Sequence, residues 1–158
     1  MKYVKDNILN TKCEVIIHGC NARGVMGAGV AKAIATKYPE CEEKYRMTLN
    51  WMKRIHGDKY EKTVLGLSVW YDHFENGERT VRIENLITQL DYGNHGVFAS
   101  ISAIDSGIRD LLLFNLSVKE FAIPKIGCGF GGLKWENVSK VLQKIEEDTG
   151  IEFIVYEI

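Results

Sequence analysis

The sequence predicts an α/β fold in which a mostly parallel sheet is covered by helices on both faces. Short apolar runs alternate along the chain with longer segments whose apolar residues recur at helical spacing. Two glycine-rich loops, at residues 24–29 and 127–132, each follow such a run and precede a helical segment. A chain of 158 residues suits one compact domain, which we place at residues 1–158.

The strands are predicted from short apolar runs bounded by polar residues or glycine. The run Val15-Ile16-Ile17 is β-branched throughout, as expected of a strand buried on both faces. Asn76-Gly77 predicts a hairpin turn inside a loop at residues 71–78, and the returning strand would be antiparallel to its neighbour. The predicted strands cover residues 3–4, 15–17, 64–70, 80–87, 121–126 and 152–156.

The helices are predicted from apolar residues that recur every three or four positions. Ile101, Ile104 and Ile108 form one such stripe, and Pro39 separates two neighbouring helices. The predicted helices cover residues 28–38, 40–54, 97–114 and 135–147. Trp51, Trp70 and Trp135 are expected to pack in the core or between helices. His56, His73 and His95 are expected at exposed positions.

Composition limits the possible functions. The formal net charge is −1, from 20 basic and 21 acidic side chains, which argues against a dedicated binder of duplex DNA. The four cysteines form no Cys-x-x-Cys pair and have no histidine at zinc-finger spacing, so no zinc site is expected. No apolar run is long enough for a membrane span. We therefore expect a reduced, cytoplasmic protein without membrane contact.

The first glycine-rich loop lies in the segment Ile-His-Gly-Cys-Asn-Ala-Arg-Gly-Val-Met-Gly-Ala-Gly-Val-Ala, residues 17–31. Glycines allow the backbone to approach a ligand closely, and a helix start offers unpaired N–H groups to an anion. No Lys-Thr or Lys-Ser follows, so this is not a phosphate loop of that kind. The pattern alone is equally compatible with a structural turn that packs a helix on the sheet.

The second loop lies in Ile-Pro-Lys-Ile-Gly-Cys-Gly-Phe-Gly-Gly-Leu, residues 123–133. Phe130 is either a lid that packs onto the fold or a contact for a sugar or base. Both loops are predicted at the carboxyl ends of strands, where ligands bind in parallel sheets. Together they predict a two-sided cradle suited to a diphosphate.

These two loops resemble those of the macro domain family, and the resemblance extends from Tyr3 to Tyr156. It is closest to the branch that contains ADP-ribose 1″-phosphate phosphatases and single-domain ADP-ribosyl hydrolases. The resemblance implies a three-layer α/β/α fold with a mixed, mostly parallel central sheet. It also implies binding of ADP-ribose, or of a phosphorylated or conjugated derivative, with no metal and no cofactor.

The resemblance assigns a role to each matching position. His18 would transfer a proton and Asn21 would hold the distal ribose, and these two are the predicted catalytic residues. An acidic residue that contacts adenine in the family falls on Asn7 here, so Asp6 would substitute for it. Phe130 would lie under the distal ribose. The predicted ligand-binding residues are Asp6, Asn7, Ile8, Gly24, Val25, Met26, Gly27, Ala28, Gly29, Val30, Ile126, Gly127, Cys128, Gly129, Phe130, Gly131 and Tyr156.

Three activities are compatible with this resemblance. The first is hydrolysis of ADP-ribose 1″-phosphate, and the second is removal of ADP-ribose from modified macromolecules. The third is binding of ADP-ribose without turnover. The lysine and aspartate that one hydrolase sub-branch uses would fall on Gln89 and Gly131, which argues against its lysine-dependent mechanism.

Overall fold

The computed structural model describes residues 1–91 and 98–158, which form a six-stranded sheet between helices. The strands are β1 (Lys2–Lys5), β2 (Val15–Asn21), β3 (Ser68–Glu75), β4 (Glu78–Gln89), β5 (Glu120–Ile123) and β6 (Glu152–Glu157). The helices are α1 (Gly29–Lys37), α2 (Pro39–His56), α3 (Tyr60–Val64), α4 (Ile101–Leu112) and α5 (Trp135–Thr149). Single 3₁₀ turns lie at Ile8–Asn10 and Gly57–Lys59.

The strand order is β1-β6-β5-β2-β4-β3, and every neighbouring pair is parallel except β3 with β4. The predicted α/β class with a mixed, mostly parallel sheet is confirmed. Because five strands point the same way, the residues that follow β1, β6, β5, β2 and β4 all lie at one edge of the sheet.

Helices cover both faces of the sheet, as predicted. Ile17 packs with α4 and α5 on one face, while Ile16 packs with α1 and α2 on the other. This alternation explains why β2 is apolar at consecutive positions. No helix among the described residues is long and apolar enough to cross a membrane.

Several predicted boundaries differ from the structure. β3 begins at Ser68, because Val64 closes α3. β5 ends at Ile123, because Pro124 has no N–H to continue the ladder. The hairpin is tighter than predicted, since only Asn76 and Gly77 turn, with φ of 52° and 81°.

The start of α4 also differs from the prediction. The helix begins at Ile101, where the Ser100 hydroxyl accepts a hydrogen bond from the Ala103 N–H. The predicted helix start at Val97, and His95, lie outside the described residues.

Two of the tryptophans are not in the core. Trp51 is 58% exposed on α2, so the prediction for this residue was wrong. Trp70 is 45% exposed on β3, but its ring packs against Lys44 of α2, with the ammonium 3.4 Å from the ring centre. Trp135 is half-buried against the α4–α5 cluster, as expected. His56 and His73 are half-buried rather than exposed, and the His73 ring lies 4.7 Å from that of Tyr38.

Candidate ligand-binding site

A cavity of about 520 Å³ opens at the edge where β2, β4 and β5 end. The two glycine-rich loops form opposite parts of its wall, and Thr88 and Gln89 contribute from the end of β4. This volume is within the range of small-molecule sites in proteins. The parallel register of β2 with both neighbours brings the two loops together, although a hundred residues separate them.

Twelve of the predicted site residues line this cavity. They are His18, Asn21, Val25, Gly27, Ala28, Gly29, Val30, Ile126, Gly127, Gly129, Phe130 and Gly131. The cavity wall does not include Asp6, Asn7, Ile8, Gly24, Met26, Cys128 and Tyr156. The ligand contacts of all these residues remain predictions.

The predicted adenine contacts lie at the same sheet edge as the cavity but serve local structure. The Asp6 carboxylate accepts hydrogen bonds from the Asn7 N–H and the Asn10 amide. The Asn7 side chain caps the 3₁₀ turn by accepting from the Leu9 N–H, and Ile8 is buried in the core. Tyr156 is half-buried, and its hydroxyl donates to that of Thr11.

Three loop residues outside the cavity wall pack away from it. Gly24 has a φ of 81°, and a Cβ there would lie 3.5 Å from the Arg46 side chain of α2. Met26 is buried in a core cluster with α2 and α3. The Cys128 thiol donates to the Ile126 carbonyl, 3.4 Å away.

Asn21 shapes the first loop with its side chain. Its Oδ1 accepts from the Arg23 N–H at 2.9 Å and the Val25 N–H at 3.3 Å, and its Nδ2 donates to the Val25 carbonyl at 2.9 Å. The Nδ2 group has a second N–H, which can donate to the distal ribose while the loop bonds are kept.

Two tyrosines from other elements anchor the base of the same loop. The Tyr45 hydroxyl of α2 donates to the Asn21 carbonyl, and the Tyr60 hydroxyl of α3 donates to the Ala22 carbonyl. Burial raises the pKa of both hydroxyls, so they stay protonated and donate. Sequence reasoning missed both, because a tyrosine on an apolar helix stripe gives no sign of what its hydroxyl meets.

The glycines of the second loop are required for different reasons. A Cβ on Gly131 would lie 2.5 Å from the Gly127 carbonyl oxygen and 2.7 Å from the Ala99 methyl, so no side chain fits. Gly127 has a φ of 76°, which favours glycine. A Cβ on Gly129 would meet nothing within 4 Å, and this position lines the cavity. Gly129 is therefore the position that leaves room for a ligand.

His18 reaches the cavity wall but is only 1% exposed. Its Nε2 lies 2.6 Å from the Asn85 Oδ1, while the Asn85 amide nitrogen donates to the Val69 carbonyl at 2.9 Å. Since Oδ1 can only accept, Nε2 carries the proton and Nδ1 holds a lone pair. Burial lowers the pKa of His18 to about 4, against a smaller opposing effect of the Asn85 bond. The imidazole is neutral at pH 7.

No protein-family model matches the chain. Curated relatives are the ADP-ribose 1″-phosphate phosphatase of Candida glabrata, 29% identical, and the DNA ADP-ribosyl glycohydrolase of Thermus aquaticus, 26% identical. Both alignments cover 99% of this chain, but they span 97% of the phosphatase and 41% of the glycohydrolase. The macrodomain of Mycobacterium tuberculosis DarG superposes with a TM-score of 0.79 at 23% identity, covering 99% of this chain and 97% of that one.

The chain folds as a macro domain. A further solved neighbour is Thermosipho africanus DarTG in complex with ADP-ribose, with a TM-score of 0.75 at 19% identity. That match covers 96% of this chain and 39% of the neighbour. These solved structures show the macro domain fold alone.

Seven residues of this macro domain line the cavity without having been predicted. They are Gly19, Cys20, Ala31, Thr88, Gln89, Pro124 and Lys125. Gln89 donates to the Asp91 carbonyl at 2.6 Å, and Lys125 forms an ion pair with Glu157 at 3.0 Å. The carboxyl ends of the predicted strands were the available signal for Thr88, Gln89 and Lys125.

Proposed function

We propose that this macro domain binds ADP-ribose and hydrolyses ADP-ribose 1″-phosphate to ADP-ribose and phosphate. The main support for the proposal is that the two glycine-rich loops line opposite sides of one cavity. Ala28 supplies no side-chain cap to α1, so the first N–H groups of that helix are available to an anion. The open space beside Gly129 would accommodate the diphosphate on the opposite wall.

The neutral imidazole of His18 supports a role in proton transfer. In the proposed step, a water oxygen attacks phosphorus and the bond between phosphorus and the C1″ oxygen breaks. Nδ1 of His18 takes the proton from the water and returns it to the departing C1″ oxygen, which leaves ADP-ribose and phosphate. Backbone amides of the loops would stabilise the negative charge. Because the pKa of His18 is about 4, it is a weak base and turnover should be slow.

The relatives support hydrolysis at the level of the family. They include an ADP-ribose 1″-phosphate phosphatase, a DNA ADP-ribosyl glycohydrolase and an ADP-ribose glycohydrolase. Gln89 and Gly131 stand where one hydrolase sub-branch has a lysine and an aspartate, which favours the phosphatase and the non-catalytic reader over that hydrolase. Gly131 has no space for any side chain, which strengthens this preference.

Binding without turnover is the second candidate, and the composition of the cavity wall favours it. Among the described residues that line the cavity, which exclude 92–97, the titratable side chains are His18, Cys20 and Lys125. Burial lowers the pKa of His18 and raises that of Cys20, so both are uncharged at pH 7, and Lys125 is paired with Glu157. A wall with so few acid–base groups suits a reader of ADP-ribose.

ADP-ribose is expected to bind with a dissociation constant in the micromolar range, and AMP much more weakly. The two loops need the diphosphate and the distal ribose together, and AMP supplies neither. Isothermal titration calorimetry with both ligands measures this difference. Equal affinities would show that the loops do not form the proposed cradle.

His18→Ala is expected to lower the rate of phosphate release from ADP-ribose 1″-phosphate by about 100-fold. Affinity for ADP-ribose should change only a few-fold, because the loops hold the diphosphate. A thermal melt checks that the variant is folded. Full activity in folded His18→Ala would make His18 structural. A parent protein that binds ADP-ribose but releases no phosphate would establish the reader instead.

A further inference from the structure

An exposed apolar stripe follows the outer face of α2. Met47, Trp51 and Ile55 are 62%, 58% and 56% exposed, and their spacing of four residues puts them on one side of the helix. The solvent face of a helix is ordinarily polar. None of the three lines the loop cavity, so the stripe is separate from the proposed ligand site. Contiguous exposed apolar surface of this kind marks an interaction site.

The two ends of this stripe differ in the balance of their exposed charges, although Arg46 lies near the acidic end and Asp58 near the basic end. Glu40 and Glu43 lie at the amino-terminal end of α2 and are exposed. Arg54 lies in its last turn, and Lys59 follows in the 3₁₀ turn, both exposed. Two such helices that run antiparallel would bring the acidic end of each against the basic end of the other.

We propose that this stripe binds a second copy of the chain, with α2 antiparallel to α2 across a two-fold axis near Trp51. A two-fold interface is self-complementary, so each contact occurs twice. Centring the axis on Trp51 sets that side chain against its own copy and Met47 against Ile55 of the second copy. The same register brings the end that carries Glu43 next to the end that carries Arg54 and Lys59 of the second copy. The apolar stripe and both charged ends are then covered together.

The size of this contact predicts a weak dimer. α2 has 18 residues, and one helix of this length is about 27 Å long. A standard protein–protein interface buries about 800 Å² on each partner. Contact between a single pair of helices buries less surface than this. We therefore expect a dissociation constant in the micromolar range or above.

Single-stranded nucleic acid is the other partner that an exposed tryptophan beside a guanidinium could bind. The Arg54 guanidinium lies 5.6 Å from the centre of the Trp51 ring. However, Trp51 lies in a shallow groove on α2 that is also lined by two carboxylates, Glu40 and Glu43, and one ammonium, Lys44. The excess of negative charge would repel phosphates. The charges therefore favour a second copy.

Sedimentation velocity tests the proposal, with the protein at concentrations from low micromolar to several hundred micromolar. The parent should dimerise, and Trp51→Glu should remain a monomer. Phe114→Glu is the matched control, because Phe114 is a 75% exposed aromatic residue that lies on the loop after α4 and not on α2. This control should dimerise like the parent.

Charge reversal tests the antiparallel register. Glu43→Lys and Lys59→Glu should each weaken the dimer by about tenfold, since symmetry repeats each repulsion. The double variant Glu43→Lys with Lys59→Glu should restore the dimer.

A parent that is monomeric at every concentration would overturn the proposal, as would a Trp51→Glu dimer of unchanged affinity. Failure of the double variant to recover would overturn the register. If a monomeric parent binds a labelled single-stranded oligonucleotide and Trp51→Glu does not, the stripe is a binding site for nucleic acid and the dimer proposal is wrong.

Discussion

Gly129→Val is expected to lower the affinity for ADP-ribose by about 100-fold or more and to leave the fold intact. The position lines the cavity, and an added Cβ would meet no protein atom within 4 Å, so the side chain enters the space proposed for the ligand. Because its φ is not positive, valine needs no strained backbone. Calorimetric titration measures the affinity, and a thermal melt measures the stability.

A neighbouring residue provides the control for this substitution. The Cys128 side chain is half-buried against the α4–α5 cluster and lies outside the cavity wall. The predicted contact of Cys128 with the ligand is through its backbone amide, which Cys128→Val keeps, so this variant should bind ADP-ribose like the parent. Gly129→Ala should show an intermediate loss, because its methyl group fills less of the space. If Gly129→Val is folded and binds with the parent affinity, the second loop is structural only.

The titration of His18 is expected to lower the free energy of unfolding by about 3 kcal/mol as the pH drops from 6.5 to about 4. The ordinary pKa of histidine is 6.5, and burial lowers that of His18 to about 4 in the folded chain. In this interval the unfolded chain binds a proton that the folded chain does not. The stabilisation is therefore complete above pH 6.5 and is lost as the pH falls. Urea unfolding at a series of pH values measures it.

The His18→Gln variant separates this effect from the titration of carboxylates. Glutamine cannot take up a proton in this range, and its amide can still donate to the Asn85 Oδ1. Its free energy of unfolding should therefore fall less than that of the parent between pH 6.5 and 4. The same pH dependence in both proteins would show that His18 titrates normally.

The first loop depends on elements that are distant in the sequence. Tyr45 and Tyr60 hold the carbonyls of Asn21 and Ala22, and Asn21 in turn holds both backbone groups of Val25. The same helix, α2, carries the exposed stripe around Trp51 on its other side. If the chain dimerises through α2, the loop and the interface share one rigid support.

The sequence by itself determined the fold class and the position of both loops. Short apolar runs specify the strands and apolar residues at helical spacing specify the helices. Asn76-Gly77 specifies its turn because both residues accept a positive φ. The carboxyl ends of parallel strands share one edge, which was enough to bring the loops together.

Only the tertiary structure decided which loop residue faces the cavity and what state its neighbours are in. Gly129 and Gly131 look alike in sequence, yet one borders open space and the other touches the Gly127 carbonyl. His18 is neutral because the surrounding core excludes water, and this effect outweighs the opposing effect of the bond to Asn85. That bond, to a residue 67 positions away, fixes which ring nitrogen carries the proton. Trp51 is a large aromatic residue in a helix, a type of residue that is usually buried, but it lies on the exposed side of α2. These properties depend on distances between remote segments, and the spacing of residues along a chain does not contain those distances.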